Sequence, residues 1–142
     1  MPIHVDIVSA ENEIFSGKAE MVFAPAILGE VGIAPGHTPL LTQLGPGEVR
    51  LKFEDGTEQA FYVSGGMLEV QPKVVTILSD TAERAEDLDE AAVMKAKEAA
   101  ESALHDREGS IDYALARSEL AETVAQLQTI QRLRRRAAGG RG

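Results

Sequence analysis

Ile3, Val5 and Ile7 alternate with His4 and Asp6, the two-residue period of a strand with one buried face. After the polar break Glu11-Asn12-Glu13, Ile14-Phe15-Ser16-Gly17-Lys18 reads as a short strand and turn, and Met21-Val22-Phe23-Ala24 as a strand ending at Pro25. The stretch from Gly29 to Thr42 holds three glycines and two prolines among the aliphatic anchors Val31, Ile33, Leu40 and Leu41. That mixture predicts an ordered crossing between two strands, presenting Glu30, His37 and Thr38 at a rigid surface. Gly45-Pro46-Gly47 is turn punctuation, and beyond it Val49, Leu51 and Phe53 alternate cleanly with Glu48, Arg50, Lys52 and Glu54. Asp55-Gly56 predicts a two-residue hairpin turn with both residues at positive φ, returning through Phe61-Tyr62-Val63. Ser64-Gly65-Gly66 permits a bulge or tight bend before Met67-Leu68-Glu69-Val70, and Gln71-Pro72-Lys73 turns the chain into Val74–Leu78. Short strands at this spacing predict an antiparallel β-sandwich or flattened barrel over residues 1–84.

The period changes near residue 85, and residues 85–142 predict an antiparallel two-helix hairpin. Asp87-Leu88-Asp89-Glu90 resembles a capping box with Asp87 as N-cap, starting a helix that runs to about Leu104. The polar run His105–Gly109 breaks it, and Ser110 is a suitable N-cap for a second helix, on which Tyr113, Ala116, Leu120, Val124, Leu127 and Ile130 form one apolar stripe. The first helix offers mainly Leu88, Ala92, Ala96, Ala99, Ala100 and Ala103. An Ala buries far less than the surface worth roughly 1.5–3 kcal/mol that a Leu or Val removes from water. High helix propensity with weak adhesion predicts an arm that stays helical without being strongly held in one place. Its end, Arg132-Leu133-Arg134-Arg135-Arg136 followed by Ala137–Gly142, carries five arginines and no acid in eleven residues. It reads either as a solvated helix end fading into a flexible tail or as a handle for an acidic protein surface.

The 142 residues carry a formal net charge of -9 and only 4% aromatic side chains. Met1–Glu86 has 13 acids against 5 bases, and the remainder 10 against 9, so the negative charge lies mostly on the strand half. No nucleic acid is expected as a partner, because a phosphate lattice needs clustered cations. The absence of cysteine excludes disulfides and thiolate metal sites. Met1–Asp6 has no secretory pattern, and no apolar run approaches the roughly 18–20 residues that span a bilayer.

Catalytic, cofactor and metal sites are all expected to be absent. Gly32–Gly36 lacks the Lys-Ser/Thr ending of a phosphate loop, and His4, His37 and His105 lack metal-ligand spacing. No nucleophile, base and oxyanion-donor set can be assembled. His37, between Gly36 and Thr38-Pro39, either bonds within its own loop or serves an interface.

The order of Phe15-Ser16-Gly17, the Gly29–Thr42 stretch, Tyr62-Val63-Ser64-Gly65-Gly66-Met67-Leu68-Glu69-Val70, Asp80-Thr81-Ala82, Leu88-Asp89-Glu90-Ala91 and Ile111-Asp112-Tyr113-Ala114 closely resembles the epsilon subunits of bacterial F-type ATP synthases, along essentially the whole chain. The resemblance implies a non-catalytic rotor subunit of the central stalk, whose sandwich binds the gamma subunit and rests on the c-ring, coupling proton flow to ATP synthesis. It implies a c-ring contact through Glu30, His37 and Thr38. The hairpin is implied to act as a brake, permitting ATP hydrolysis when folded down and inhibiting it when extended among the alpha and beta subunits. Arg132, Arg134, Arg135 and Arg136 would then meet acidic segments of beta. The implied location is the cytoplasmic face of the bacterial inner membrane, reached only through the complex. Some family members bind ATP on the hairpin through Ile or Leu, Asp, two variable residues, Arg and Ala. The matching residues here are Leu88-Asp89-Glu90-Ala91-Ala92-Val93, so Ala92 replaces the arginine and nucleotide binding is expected to be weak or absent. The alternative reading is a free-standing β-sandwich ligand-binding module with a helical adaptor.

Overall fold

A computed structural model describes residues 2–106 and 111–139. It divides into two compact units, Met1–Ala85 and Glu86–Gly142. The first holds ten strands: β1 (Ile3–Ser9), β2 (Glu13–Ala19), β3 (Met21–Ala26), β4 (Gly29–Ile33), β5 (Leu40–Leu44), β6 (Gly47–Lys52), β7 (Glu58–Val63), β8 (Gly66–Val70), β9 (Val74–Ser79) and β10 (Ala82–Arg84). Their order is β10-β7-β6-β3-β5-β8-β9-β1-β2, with β4 paired to β3. The Arg84 guanidinium, at one end of this order, donates to the Ile14 carbonyl on β2 at the other, over 3.1 Å, so the sheet nearly closes into a flattened barrel. The expected sandwich is present, with one departure from an all-antiparallel plan: β1 pairs parallel with β9, placing Val5 beside Val75 and Ile7 beside Ile77.

Alternation decides which side chains enter the interior. Ile3, Val5 and Ile7 from β1, Val49 and Leu51 from β6, Leu68 and Val70 from β8, and Val75 and Ile77 from β9 all join one buried cluster. Phe15 closes it with its ring 5.6 Å from Phe61 and 6.1 Å from Phe53. With so few rings available, most of this core is interdigitated aliphatic chain, each worth roughly 1.5–3 kcal/mol when fully buried.

Several local expectations change. The strand of Met21–Ala24 does not stop at Pro25, because β3 continues to Ala26 with Pro25 opposite Glu30. Along its other edge β3 changes partner there, from β6 at Met21–Phe23 to β5 at Ala26, so a residue lacking an N–H interrupts neither of those ladders. The Gly29–Thr42 stretch is not one long crossing: Gly29–Ile33 is strand β4, Leu40 begins β5, and the loop proper spans residues 34–39. Asp55-Gly56 turns the chain within a three-residue loop. Gly56 N–H donates to the Phe53 carbonyl and Phe53 N–H to the Thr57 carbonyl, and of these residues only Gly56 has positive φ, at 87°. Asp55 instead accepts from the Thr57 hydroxyl (2.6 Å) and the Thr57 N–H (2.9 Å), which hold its carboxyl below the usual carboxylate range.

A 3₁₀ turn, Ala85–Asp87, spans the boundary in sequence, and the second unit holds α1 (Glu90–Asp106) and α2 (Ile111–Gly139). Asp89 rather than Asp87 is the N-cap: its carboxylate accepts the N–H groups of Ala91 at 3.0 Å and Ala92 at 3.3 Å. Ala92, Ala96 and Ala99 face solvent while Ala100 is buried, and the apolar cluster between the helices is Val93 with Leu127 and Ile130, flanked by Leu88. The missed anchor is therefore Val93, one position from the alanine row. The helix α2 continues through Arg132–Arg136 to Gly139, so these four arginines are part of the helix. The proposed cap at Ser110, most of the break His105–Gly109, the Ala103 and Tyr113 side chains and Gly140–Gly142 lie outside the described residues.

Among the described glycines, Gly66 makes the tightest backbone approach. Its φ is 136°, and a Cβ built there would overlap the Leu78 carbonyl of the neighbouring strand, whereas Gly45 has open space around it. Gly66→Ala is expected to lower unfolding free energy by more than about 2 kcal/mol, and Gly45→Ala to stay within about 0.5 kcal/mol of the parent, in denaturant titrations.

Candidate functional site

Glu30 lies on β4, opposite Pro25, with its carboxylate exposed. It is paired. The Arg50 guanidinium reaches from β6 across β3, lying 4.4 Å from the centre of the Phe23 ring, and places Nη2 3.4 Å from Glu30 Oε1. Phe23 stands between Arg50 and Gly32 in register, so the three strands carry one continuous arrangement of anion, ring and cation. Arg50 Nε is also 3.6 Å from the buried carboxylate of Glu48. Sequence spacing identifies Arg50 only as an outward-facing position, because its partner lies twenty residues away.

His37 and Thr38 occupy the 34–39 loop. The His37 N–H donates to the Ala34 carbonyl over 3.1 Å, and His37 Nδ1 lies 2.6 Å from the Thr38 carbonyl, the arrangement of an N–H donor on that ring nitrogen. Gly36 N–H donates to the Pro72 carbonyl at the β8–β9 turn, so the loop is fastened to a second corner of the sandwich. Of the two readings of His37, bonding within its own loop is what the geometry displays, leaving Nε2 as the edge available to a partner. Glu30 is fixed by β6 and His37 by its own loop, and no bond joins the two among the described residues.

A second surface was missed at the level of sequence. Gln43, Met67, Leu78 and Val8 stand side by side on β5, β8, β9 and β1, all on the outward face. Met67 and Leu78 are exposed, as is Leu41 in the adjacent row. Ile27 N–H donates to the Gln43 carbonyl, so the β3–β4 turn, where Leu28 is 97% exposed, adds two more aliphatic side chains beside the row. A groove of about 290 Å³ follows Val8, Met67 and Leu78. Contiguous exposed apolar surface of this kind marks a docking face rather than a chemical centre. The clue in the sequence was Ile27-Leu28, two large aliphatics at a hairpin tip where polar turn residues are the rule.

In the helical unit Arg132 and Arg135 are exposed, while Arg134 donates to Glu90 of α1 through both terminal nitrogens, Nη1 lying 3.3 Å from Oε1. Ala92 is exposed in the first turn of α1, and the neighbouring Asp89 carboxylate is engaged in capping. Neither supplies the cationic group that would hold a phosphate. No group of three or more metal-ligating side chains occurs among the described residues. No helix there is long and apolar enough to cross a membrane.

Residues 2–85 match the family "ATP synthase, Delta/Epsilon chain, beta-sandwich domain", and residues 86–131 match "ATP synthase, Delta/Epsilon chain, long alpha-helix domain". The ATP synthase epsilon chain of Nitrosococcus oceani is 65% identical over 136 residues, covering 96% of this chain and 97% of its own. That of Alkalilimnicola ehrlichii is 61% identical over 135 residues, covering 95% and 96%. Among solved structures, a chain in the Euglena gracilis mitochondrial ATP synthase OSCP/F1/c-ring assembly superposes with a TM-score of 0.81 at 21% identity, covering 91% of this chain and 81% of that one. A chain of the Tetrahymena thermophila mitochondrial ATP synthase central stalk/c-ring gives 0.59 at 16% identity, covering 92% and 97%. At these identities the two assemblies support the fold, while the matches that span both units carry the family: this chain belongs to the epsilon chains of bacterial F-type ATP synthases.

Proposed function

We propose that the protein is a non-catalytic rotor subunit that fastens the gamma subunit to the c-ring and brakes ATP hydrolysis with its helical hairpin. The observation that carries the docking half of this reading is the outward apolar row of Met67 and Leu78 beside Val8, flanked by Leu41 and the Ile27-Leu28 tip. Such a row needs an apolar partner, and gamma is the partner assigned to it. Glu30, His37 and Thr38 are assigned to the c-ring. Their support is stiffness: Glu30 is braced by Arg50 and the His37 loop is tied to Pro72, so a lateral load passes into the sheet rather than into loose chain. A free-standing ligand-binding module would predict that gamma is ignored.

The braking half rests on the arginines of α2. Arg132, Arg134, Arg135 and Arg136 are assigned to acidic segments of the beta subunits, where guanidinium forks pair with carboxylates. The cluster joining α1 to α2 consists of Val93, Leu127 and Ile130 with Leu88, against seventeen buried side chains in the sandwich cluster. Among the described residues, this cluster between the helices is much the smaller of the two. With Ala92 in place of arginine, nucleotide is not assigned as the ligand that sets the hairpin's position. Membrane association follows through the c-ring alone, on the cytoplasmic side.

Two outcomes are expected. Co-expressed gamma should co-purify with the intact chain, and Met67→Glu with Leu78→Glu should weaken that complex at least ~10-fold by buffer-wash dissociation while leaving the thermal midpoint of the free chain nearly unchanged. Retention of gamma at the parent level would remove the row from the interface. Truncation after Ile130 should raise ATP hydrolysis by the assembled synthase, and equal rates for truncated and intact complexes would contradict the brake.

A further inference from the structure

Among the described residues, the apolar cluster and the ion pair that join α1 to α2 both lie at one end of the pairing. Leu88, Glu90 and Val93 fall within six residues at the start of α1, and Leu127, Ile130 and Arg134 within eight residues near the end of α2. The apolar cluster and the ion pair are thus adjacent, at the end of the hairpin away from the connection between the helices. Spacings of three and four on α2 put Leu127, Ile130 and Arg134 on the face turned to α1, Arg134 reaching Glu90 from an exposed position at its edge. Glu90 occupies the first turn of α1 and Arg134 the last turns of α2, where each helix favours that sign of charge.

We propose that Glu90 is an internal latch: it occupies the guanidinium fork of Arg134 and so competes with the acidic surface of the beta subunits for the same side chain. This rests on the braking role proposed for the hairpin and names a device that regulates it. Both oxygens of Glu90 face both terminal nitrogens of Arg134, the two-point geometry by which a guanidinium recognises any carboxylate. With both terminal nitrogens of Arg134 taken by Glu90, an external carboxylate can make the same two-point contact there only by displacing it. While Glu90 holds Arg134 the helices stay paired, and extension of α2 requires that this bond open. Because both side chains are partly exposed, 66% for Arg134 and 39% for Glu90, the latch is weak enough to be exchanged for an external partner. Glu90 is therefore a positioning residue that makes no contact with the beta subunits.

The test uses Glu90→Gln, which keeps the side chain's size and removes its charge. In the full-length free chain, amide hydrogen exchange over residues 127–136 should quicken by about 1.5- to 5-fold in Glu90→Gln, and adding Arg134→Gln should produce no further change. In the assembled synthase, Glu90→Gln should lower ATP hydrolysis by about 1.5- to 5-fold, because Arg134 is released to the braking contact. The same substitution in the chain truncated after Ile130 should leave hydrolysis at the truncated rate. If truncation raises hydrolysis while Glu90→Gln in the intact chain leaves it unchanged or raises it, the latch is overturned and the brake stands. If truncation itself has no effect, the brake fails and the latch's regulatory role fails with it. Unchanged exchange in Glu90→Gln would show that the pair holds nothing, and would overturn the latch whatever the hydrolysis rates.

Discussion

The parallel pairing of β1 with β9 is the constraint on which the sandwich depends. It sets Val5 beside Val75 and Ile7 beside Ile77 on the inner face, and because side chains alternate, it equally sets Val8 beside Leu78 on the outer face. A one-residue slip would exchange the two faces, burying His4 and Asp6 and exposing the core. The same register that buries the interior therefore builds the proposed gamma-facing row. Outward alignment of apolar groups is a by-product of inward alignment, and residue type alone decides whether it becomes an interface.

Stiffness and looseness are distributed unequally between the two units. In the sandwich even the irregular parts are tied: Ser79 Oγ lies within hydrogen-bonding distance of the carbonyls of Gly65 (2.5 Å) and Thr81 (2.7 Å), and the 34–39 loop is fastened to Pro72. The force-transmitting role proposed for this subunit calls for such bracing where it meets its neighbours. The hairpin has the opposite character. Its helices are of high intrinsic propensity, but among the described residues their apolar cluster is a small group near one end. Helicity that does not depend on adhesion is the property that the proposed change of partners, without melting, would require.

Strand alternation was legible where apolar and polar residues took turns, as in β1 and in β6 from Val49 onward, because burial on one face leaves a direct trace in composition; Glu48, expected on the outer face of β6, is buried. Alternation failed at Gly29–Ile33, where glycine and glutamate hide a strand paired along β3. At Asp55-Gly56 the position of the turn was legible but its type was not, since the Asp55–Thr57 hydrogen bonds that stabilise the three-residue loop leave no periodic signal. On α1 the abundance of alanine concealed the contact face: with Ala at many positions, periodicity cannot choose between Ala92 and Val93, and only the partner helix does so. Glu30, His37 and Thr38 were identifiable as presented by ordered backbone, but the bracing of Glu30 by Arg50 was not, because the two are distant in sequence and meet across an intervening strand. Pairings between helices, such as Glu90 with Arg134, are invisible for the same reason.

Native-state hydrogen exchange on the full-length chain tests the central asymmetry most directly. The account predicts that amides of β1, β8 and β9 open only at the global unfolding free energy, while amides of α1 and the described part of α2 open at a distinctly lower one, independently of the strands. Opening of strands and helices together, at one shared high free energy, would contradict it.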